Sequence, residues 1–393
     1  MTYRELLKNH KIVRQLSLVQ LIAYFGAWFS NVAIFTLLVQ FEVSSIIVSI
    51  VAAMNFLPGI ILSPISGTII DRTNIKKLMI ILMSTELVMT LCFLFINEAS
   101  DVWILMILLF IRMGAASMFF STEMTLLPKI ISGEALQKAN EIHSIIWSFT
   151  YAAGMAISAF VVHSFGVKTA FIIDALFFVV SLLFFIPLKL QIKPSDIKES
   201  ISSMIKDGFL YLKQNSIALK LILLHASVGL TSFDALVTLL ADYEYKLVLA
   251  VPLAIGISNA VRAFALMVGP FIIGSWVNQK TLTCLFLMQG TAIIVWGLTS
   301  YNFYISLIGL FLTGFFTSTI WSYTYALLQE KVEHKYLGRT LAYNEMIFML
   351  SNVITTLFIG FMASLVSLDI ITIILGLAFY GVAYYYTRIQ KWI

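Results

Sequence analysis

Ionisable side chains inside long apolar runs are the first chemistry this sequence offers: Glu86, Arg112, Asp234 and Arg262. Such a group costs at least about 2.5–3.5 kcal/mol to insert in a bilayer, so each is a candidate for ion pairing, proton exchange or substrate contact. On one continuous helix, Ser227, Thr231, Asp234 and Thr238 fall at i, i+4, i+7 and i+11, within about 60° of one face. That polar stripe, extended by Asp242, suits a water-filled cavity. Arg262 lies roughly 15 Å from the end of its run at 1.5 Å per residue, within reach of Asp234. The two are expected to pair until a proton or a cationic substrate parts them. Glu86 is the expected partner of Arg112. His225, nine residues before Asp234, faces the opposite way and is expected to be packed and hydrogen-bonded.

The same spacing argument gathers Gln20, Tyr24 and Asn31, with Trp28 at the edge of their stripe. It also gathers Ser306, Thr313, Thr317 and Thr324, and then Glu345, Asn352 and Thr356. The candidate substrate contacts are therefore Gln20, Tyr24, Trp28, Asn31, Thr231, Thr313, Thr317 and Asn352. Arg112, Ala116, Phe119 and Glu123 share a stripe, with Glu123 about 16 Å from Arg112. There it is placed to meet Arg72 of the preceding loop, as a gate residue. Asp174 is expected at a helix start, where the positive end of the helix dipole would hold it.

No GxxxxGK[ST], HExxH, GxSxG or GxGxxG occurs, and the two cysteines, Cys92 and Cys284, sit far apart in apolar runs. An ATP-driven pump, an enzyme, a metal centre and a bound cofactor therefore lack their sequence signatures. The cysteines are expected to be small buried apolar residues.

These residues must be positioned by apolar helices. The chain has 393 residues, 60% hydrophobic and 11% charged, with mean hydropathy +0.95. A soluble domain carries about 25% charged residues. A spanning helix needs about 20 residues, and twelve runs qualify: 15–41, 44–70, 78–97, 102–127, 141–162, 171–188, 217–242, 252–276, 281–299, 305–328, 340–366 and 370–387. They are too long and continuous for barrel strands. The first is too long for a signal peptide and lacks a small-residue cleavage site. Of the 25 Lys and Arg, all but four fall in connections on one side; Lys168 and Lys246 lie on the other, and Arg112 and Arg262 within runs. The positive-inside rule then puts both termini in the cytoplasm, in a multi-pass chain of the cytoplasmic (inner) membrane.

The longest polar connection, 189–216, divides the runs six and six and carries an amphipathic stretch over 200–213, expected on the cytoplasmic membrane surface. The expected domains are a six-helix bundle over 1–188, the linker over 189–216 and a second bundle over 217–393. The halves repeat weakly: Gly114 matches Gly314, Ser117 matches Thr317, and Asn140-Glu141 matches Asn344-Glu345. Duplicated helical halves with a mid-membrane site are a transporter pattern.

The connection after the second run reads Gly67-Thr-Ile-Ile-Asp71-Arg72-Thr-Asn-Ile-Lys76-Lys77. It resembles the GxxxDRxxRR motif of the major facilitator superfamily, in the loop where that family carries it. Asn278 stands where the second half's copy would have an acid. Gly67 is expected to permit close helix packing. Asp71, Arg72 and Lys77, with Glu123, are expected to form a cytoplasmic gate. The segments NHKIVRQLSLVQLIAYFGAWFSNVAIFTLLVQF, LLPKIISGEALQKANEIHSIIWSFTYAAG, FIIDALFFVVSLL and IKDGFLYLKQNSIALKLILL resemble the macrolide-efflux branch of drug:proton antiporters. In that family the arginine matching Arg112 is implicated in proton transfer.

The resemblance implies an all-α fold of twelve transmembrane helices in two pseudo-symmetric bundles. It implies a monomeric secondary exporter, for drug- or siderophore-like amphiphiles, working by proton antiport. Its partners would be protons, membrane lipid and a small molecule, with no nucleic acid. A flippase of lysophospholipids resembles the same branch. A non-transporting receptor or assembly partner is the alternative of another class, and it would have no use for buried Asp234, Arg262 and Arg112.

Overall fold

Within lipid the backbone has only itself to hydrogen-bond, so long apolar runs become helices. The computed structural model describes residues 2–190, 201–333 and 336–392. Among these, twelve helices are long and apolar enough to cross a membrane. Spans one to six are Lys11–Gln40, Ser45–Gly67, Ile75–Phe95, Ala99–Ile130, Gly133–Phe165 and Val167–Phe185. Spans seven to twelve are Ser216–Tyr245, Val251–Ile273, Leu282–Thr299, Phe303–Lys331, Leu337–Met362 and Leu368–Trp392. Among the described residues there is no strand. Phe95, Phe160, Leu183, Phe271 and Leu365 are exposed, an apolar surface suited to lipid. Both cysteines are free, and Cys284 is exposed where burial was expected.

One further helix precedes the first span of each half of the sequence. The N-terminal helix Tyr3–Asn9 starts in a capping box, Thr2 accepting from the Glu5 N–H while Glu5 accepts from the Thr2 N–H. Its Leu6 inserts among Val13, Leu127, Ile131, Ala139, Ile142 and Ile146. Its Tyr3 hydroxyl donates to Glu141 of span five at 2.6 Å. The second helix, Ile201–Gln214, covers the amphipathic stretch of the linker; residues 191–200 of that linker lie outside the described residues. It rests on the start of span eleven. Arg339 donates to Asp207 at 3.4 Å, and Gly208 lies against the Tyr343 ring. Tyr211 stacks on Tyr336, ring centroids 4.2 Å apart.

The chain divides into two compact units. The first holds Met1–Glu42 and Ile65–Lys198, the second Val43–Pro64 and Glu199–Ile393. Most of span two thus groups with the second unit, although it belongs to the first half of the sequence. Small residues explain the grouping. Ser45 donates to the Gly360 carbonyl of span eleven at 3.0 Å, and Ser63 to the Ala342 carbonyl at 3.1 Å. A Cβ on Gly360 would collide with Ser49. Span two is also interrupted at Met54–Phe56.

Candidate functional site

In the first unit, Arg112 is held by Asp174. Its Nη2 donates to Asp174 Oδ2 at 2.7 Å, with side chains 4% and 0% exposed. Ser30 Oγ donates to the same oxygen. Gly26 of span one makes this approach possible, because a Cβ there would meet Phe177 and Asp174 Oδ1. The rings of Phe93 and Phe178 lie 5.7 and 5.8 Å from the guanidinium. Glu86, the partner expected from sequence, is also buried and within electrostatic reach of both charges, but it is Asp174 that makes the contact. Asp174 is not at a helix start: span six begins at Val167, two turns earlier.

Glu123 lies in a different setting, 3% exposed. Tyr24 of span one donates to its Oε2 at 3.3 Å, and His143 Nδ1 of span five is 3.8 Å from that oxygen. Gln20 Nε2 is 2.6 Å from the same His143 nitrogen. His143 lies outside the stripes and motifs expected from sequence, where its one signal is to be a polar residue in an apolar run. One turn along span one from Tyr24, Trp28 stacks on Tyr151 at 4.2 Å and meets Trp147 edge-on. Gly154 makes room for it, since a Cβ there would lie 2.9 Å from the indole. Asn31 is half-buried in span one.

In the second unit, span seven is not one helix. It runs as α-helix over Ser216–Ala226, tightens to a 3-10 turn over Ser227–Thr231, and breaks at Ser232, where ψ is 83°. It restarts over Asp234–Leu240 and ends in a π turn over Ala241–Tyr245. The local sequence Ser-Val-Gly-Leu-Thr-Ser accounts for this. Ser227 donates to the Leu224 carbonyl at 2.6 Å and Thr231 to the Val228 carbonyl at 2.8 Å, competing with the helical ladder. Gly229 packs so tightly on span eleven that a Cβ would lie 2.7 Å from Ser351.

The stripe of Ser227, Thr231, Asp234 and Thr238 therefore does not run along one helix face, because its 100° spacing is lost at the break. Only Asp234 and Thr238 keep their helical relation, Thr238 donating to the Asp234 carbonyl at 2.8 Å.

The break frees a carbonyl, and Arg262 takes it. Its Nη2 donates to the Thr231 oxygen at 2.6 Å, and its guanidinium carbon lies 5.2 Å from the Phe233 ring centroid. Asp234 is near enough to feel that charge, yet among the described residues no salt bridge joins them. Arg262 thus meets main chain where a carboxylate was expected. Thr313, Thr317 and Asn352 are buried and bonded to their own helices, to Leu310, Thr313 and Phe348 carbonyls. His225 is fully buried, hydrogen-bonded to Thr324 at 2.8 Å among Trp321, Tyr325 and Phe348.

In the last turn of the helix Leu57–Arg72, which carries span two onward, Asp71 pairs with Lys129 of span four at 3.0 Å, both about a third exposed (31% and 33%). Lys77 donates its backbone N–H to Asn74, the cap of span three. Arg72 ends the second helical segment of span two. A Cβ on Gly67 would meet nothing within 4 Å, so close packing is not what this glycine provides here.

The arrangement matches known proteins. The sequence profile of the Major Facilitator Superfamily matches residues 16–301. Macrolide efflux protein A of Streptococcus pyogenes is 23% identical over 309 residues, 75% of each chain. The Enterococcus faecalis protein of that name is 24% identical over 299 residues, covering 73% of this chain and 91% of its own. The uncharacterized MFS-type transporter YfiS of Bacillus subtilis is 27% identical over 217 residues, and the match spans 51% of its length. Among solved structures, the nucleoside transporter NupG superposes with a TM-score of 0.77 at 10% identity, over 97% of this chain and 99% of its own. A bacterial homologue of the human lysosomal transporter Spinster superposes at 0.72 and 12% identity, over 100% and 96%. At such identities the structures speak for the fold alone. The profile match covers most of the chain, which is thus a multi-pass member of the Major Facilitator Superfamily of membrane transporters.

Proposed function

We propose that the protein is a secondary active exporter of amphiphilic small molecules, driven by proton antiport through alternating access. The observation that carries this reading is Asp234, an intramembrane carboxylate on a broken helix, beside an arginine that spends its hydrogen bond on main chain. A carboxylate locked in a salt bridge has no reason to change its proton. One that is near a cation but not bound to it can gain a proton, lose it, and alter the hold of Arg262 on the break. Arg112 and Glu86 act with it in this reading, and the Asp71, Arg72 and Lys77 loop biases the conformational equilibrium. The macrolide efflux relatives support an amphiphilic substrate. The charge asymmetry of the connections supports cytoplasmic termini in a cytoplasmic membrane, and a monomer suffices for the cycle.

The test is reconstitution in liposomes with an imposed pH gradient, offering a macrolide, a siderophore and a lysophospholipid in turn. Uphill movement of a soluble amphiphile with counterflow of protons is expected. Movement of lysophospholipid indifferent to the gradient would replace the reading with a lipid flippase.

A further inference from the structure

Glu123 is a buried carboxylate without a cation. Its side chain is 4% exposed, and among the described residues no Lys or Arg forms a salt bridge with it. An isolated charge at that depth is expensive. Its neighbours are of the kind that handle protons. From span one come the Tyr24 hydroxyl, donating at 3.3 Å, and the Gln20 amide. From span five comes His143, its Nδ1 3.8 Å away. The other charges nearby are engaged or more distant. Glu86 of span three reaches Tyr24 electrostatically. On span four itself, Arg112 is bound to Asp174 and Lys129 to Asp71. Further along span five, Glu141 is bound to Lys138 and Tyr3.

We propose that Glu123, Tyr24, His143 and Gln20 form a proton-transfer site of the first unit, at which Glu123 hands one proton to His143 during the transport cycle. The inference rests on the proton-coupled reading and adds to it a site away from Asp234. Gln20 is the switch. With its Nε2–H donating to His143 Nδ1 at 2.6 Å, that nitrogen is an acceptor already filled, and the ring proton sits on Nε2. Nε2 is buried and has no hydrogen-bond partner among the described residues. A turn of the Gln20 amide withdraws this donor and bares the Nδ1 lone pair. The O–H bond of Glu123 can then break as an N–H bond forms at Nδ1, and completing the half-turn of the amide brings Gln20 Oε1 to accept that N–H. The Glu123 carboxylate is left beside an imidazolium with Tyr24 still donating to it. A water molecule that reaches Nε2 as the helices move then takes the proton there, leaving a neutral ring protonated at Nδ1. Glu123 loses one proton and the water gains one, so charge and atoms balance, and the site resets when Glu123 is reprotonated and the remaining ring proton passes from Nδ1 back to Nε2 through water.

The geometry also explains why three helices contribute. Spans one, four and five each supply one part, so a shift of any one of them by an ångström alters the 3.8 Å gap that the proton must cross. Transfer is thereby tied to helix movement.

The test uses the full chain in liposomes, with two readouts. The first is infrared difference spectroscopy of the protonated carboxyl stretch as pH is stepped, which needs no substrate. The second is the ratio of pH-gradient-driven flux to counterflow, with a macrolide as probe. Glu123→Gln keeps an oxygen for Tyr24 but cannot ionise. It should lose one titrating carboxyl band and lower the flux ratio at least about tenfold. Glu123→Asp should restore a band, at a changed midpoint. Gln20→Leu, which has no acceptor to offer Nδ1–H, should keep the band and lose the flux ratio. Tyr24→Phe should move the band's midpoint by about one pH unit, the worth of a hydrogen bond to a charged group. A titrating band unchanged in Glu123→Gln overturns the proposal, as does an unchanged flux ratio in a wild type that antiports. If the wild type itself concentrates no probe under a gradient, the export reading fails. The infrared titration then decides the site alone, a lost band supporting it and a retained band overturning it.

Discussion

Two arginines at membrane depth are held in opposite ways. In the first unit Arg112 is clamped by Asp174, which Ser30 also donates to, and its guanidinium lies near the rings of Phe93 and Phe178. In the second unit Arg262 donates to a carbonyl released by a broken helix and stands near Asp234 without bonding it. A buried pair loses several kcal/mol of hydration per ion and regains it only when the geometry is good. Arg112 has that geometry, so it fixes spans one, four and six together. Arg262 has a neutral acceptor, which leaves the nearby carboxylate able to change state. The contrast separates an arginine whose charge is already matched by a carboxylate from one whose carboxylate neighbour can still change state.

The clamped pair should give the largest effect. Arg112→Leu leaves Asp174 buried and uncompensated, and Asp174→Leu does the same to Arg112. Each should cost about 3–5 kcal/mol of stability, seen as lost expression or early unfolding in detergent. The double variant should recover a large part of that loss, because two apolar side chains replace two charges. A double variant as poor as the sum of the singles would mean that Glu86 carries more of the compensation than the 2.7 Å contact suggests.

Asp234→Asn comes next. It mimics the protonated acid at nearly constant shape, so the chain should fold. Uphill export should fall at least about tenfold while downhill exchange persists, measured in liposomes with and without a pH gradient. Uphill export intact in well-folded protein would move the coupling to the first unit, to Glu123 or to the surroundings of Arg112.

Gly229→Ala tests whether the break in span seven is needed. The added Cβ would lie 2.7 Å from Ser351 and 2.9 Å from the Asn352 backbone nitrogen, with no flexible tip to yield. Overpacking of this kind costs about 1–3 kcal/mol. Thermal unfolding should register it, and Ser351→Gly should relieve part of it. Full stability in Gly229→Ala alone would show that spans seven and eleven can part without harm.

The fold was legible because it rests on composition. Runs of apolar residues fix the number of helices, and the boundaries read from sequence fall within several residues of those observed. The site was less legible for a physical reason. Hydropathy reports burial but not partners, so Arg112 was matched to Glu86 when Asp174 lay closer in space. The placement of Asp174 erred because span six starts earlier than its apolar run suggests. Helical spacing assumes one uninterrupted helix, and Ser227, Gly229, Thr231 and Ser232 break span seven. Their clustering was a signal of that break, hidden by the hydrophobic residues between them. The grouping of residues 43–64 with the second unit depends on serine and glycine contacts across 300 positions of sequence, which no local pattern carries.

The smallest effect should come from the exposed counterpart of the Arg112 clamp. Lys129 meets Asp71 at 3.0 Å, much as Arg112 meets Asp174, but both side chains are about a third exposed. Water competes for such a pair and salt screens it, so it is worth about 0–1 kcal/mol. It joins the helical turn that leads into the loop after span two to span four within one unit, so it steadies the start of that loop directly and acts on the conformational balance only through it. Lys129→Gln removes this bond and leaves the other contacts of Asp71 in place. Cysteine labelling of the loop should then rise no more than about fivefold, the limit for a loss of 1 kcal/mol. High salt should bring wild type to the same level. Asp71→Asn should do more than Lys129→Gln only to the extent that the carboxylate holds further partners, so the difference between the two variants measures those partners. A Lys129→Gln effect as large as that of Arg112→Leu would mean that exposure does not separate the two pairs. The distinction between a structural clamp and an adjustable surface contact would then have to be drawn elsewhere.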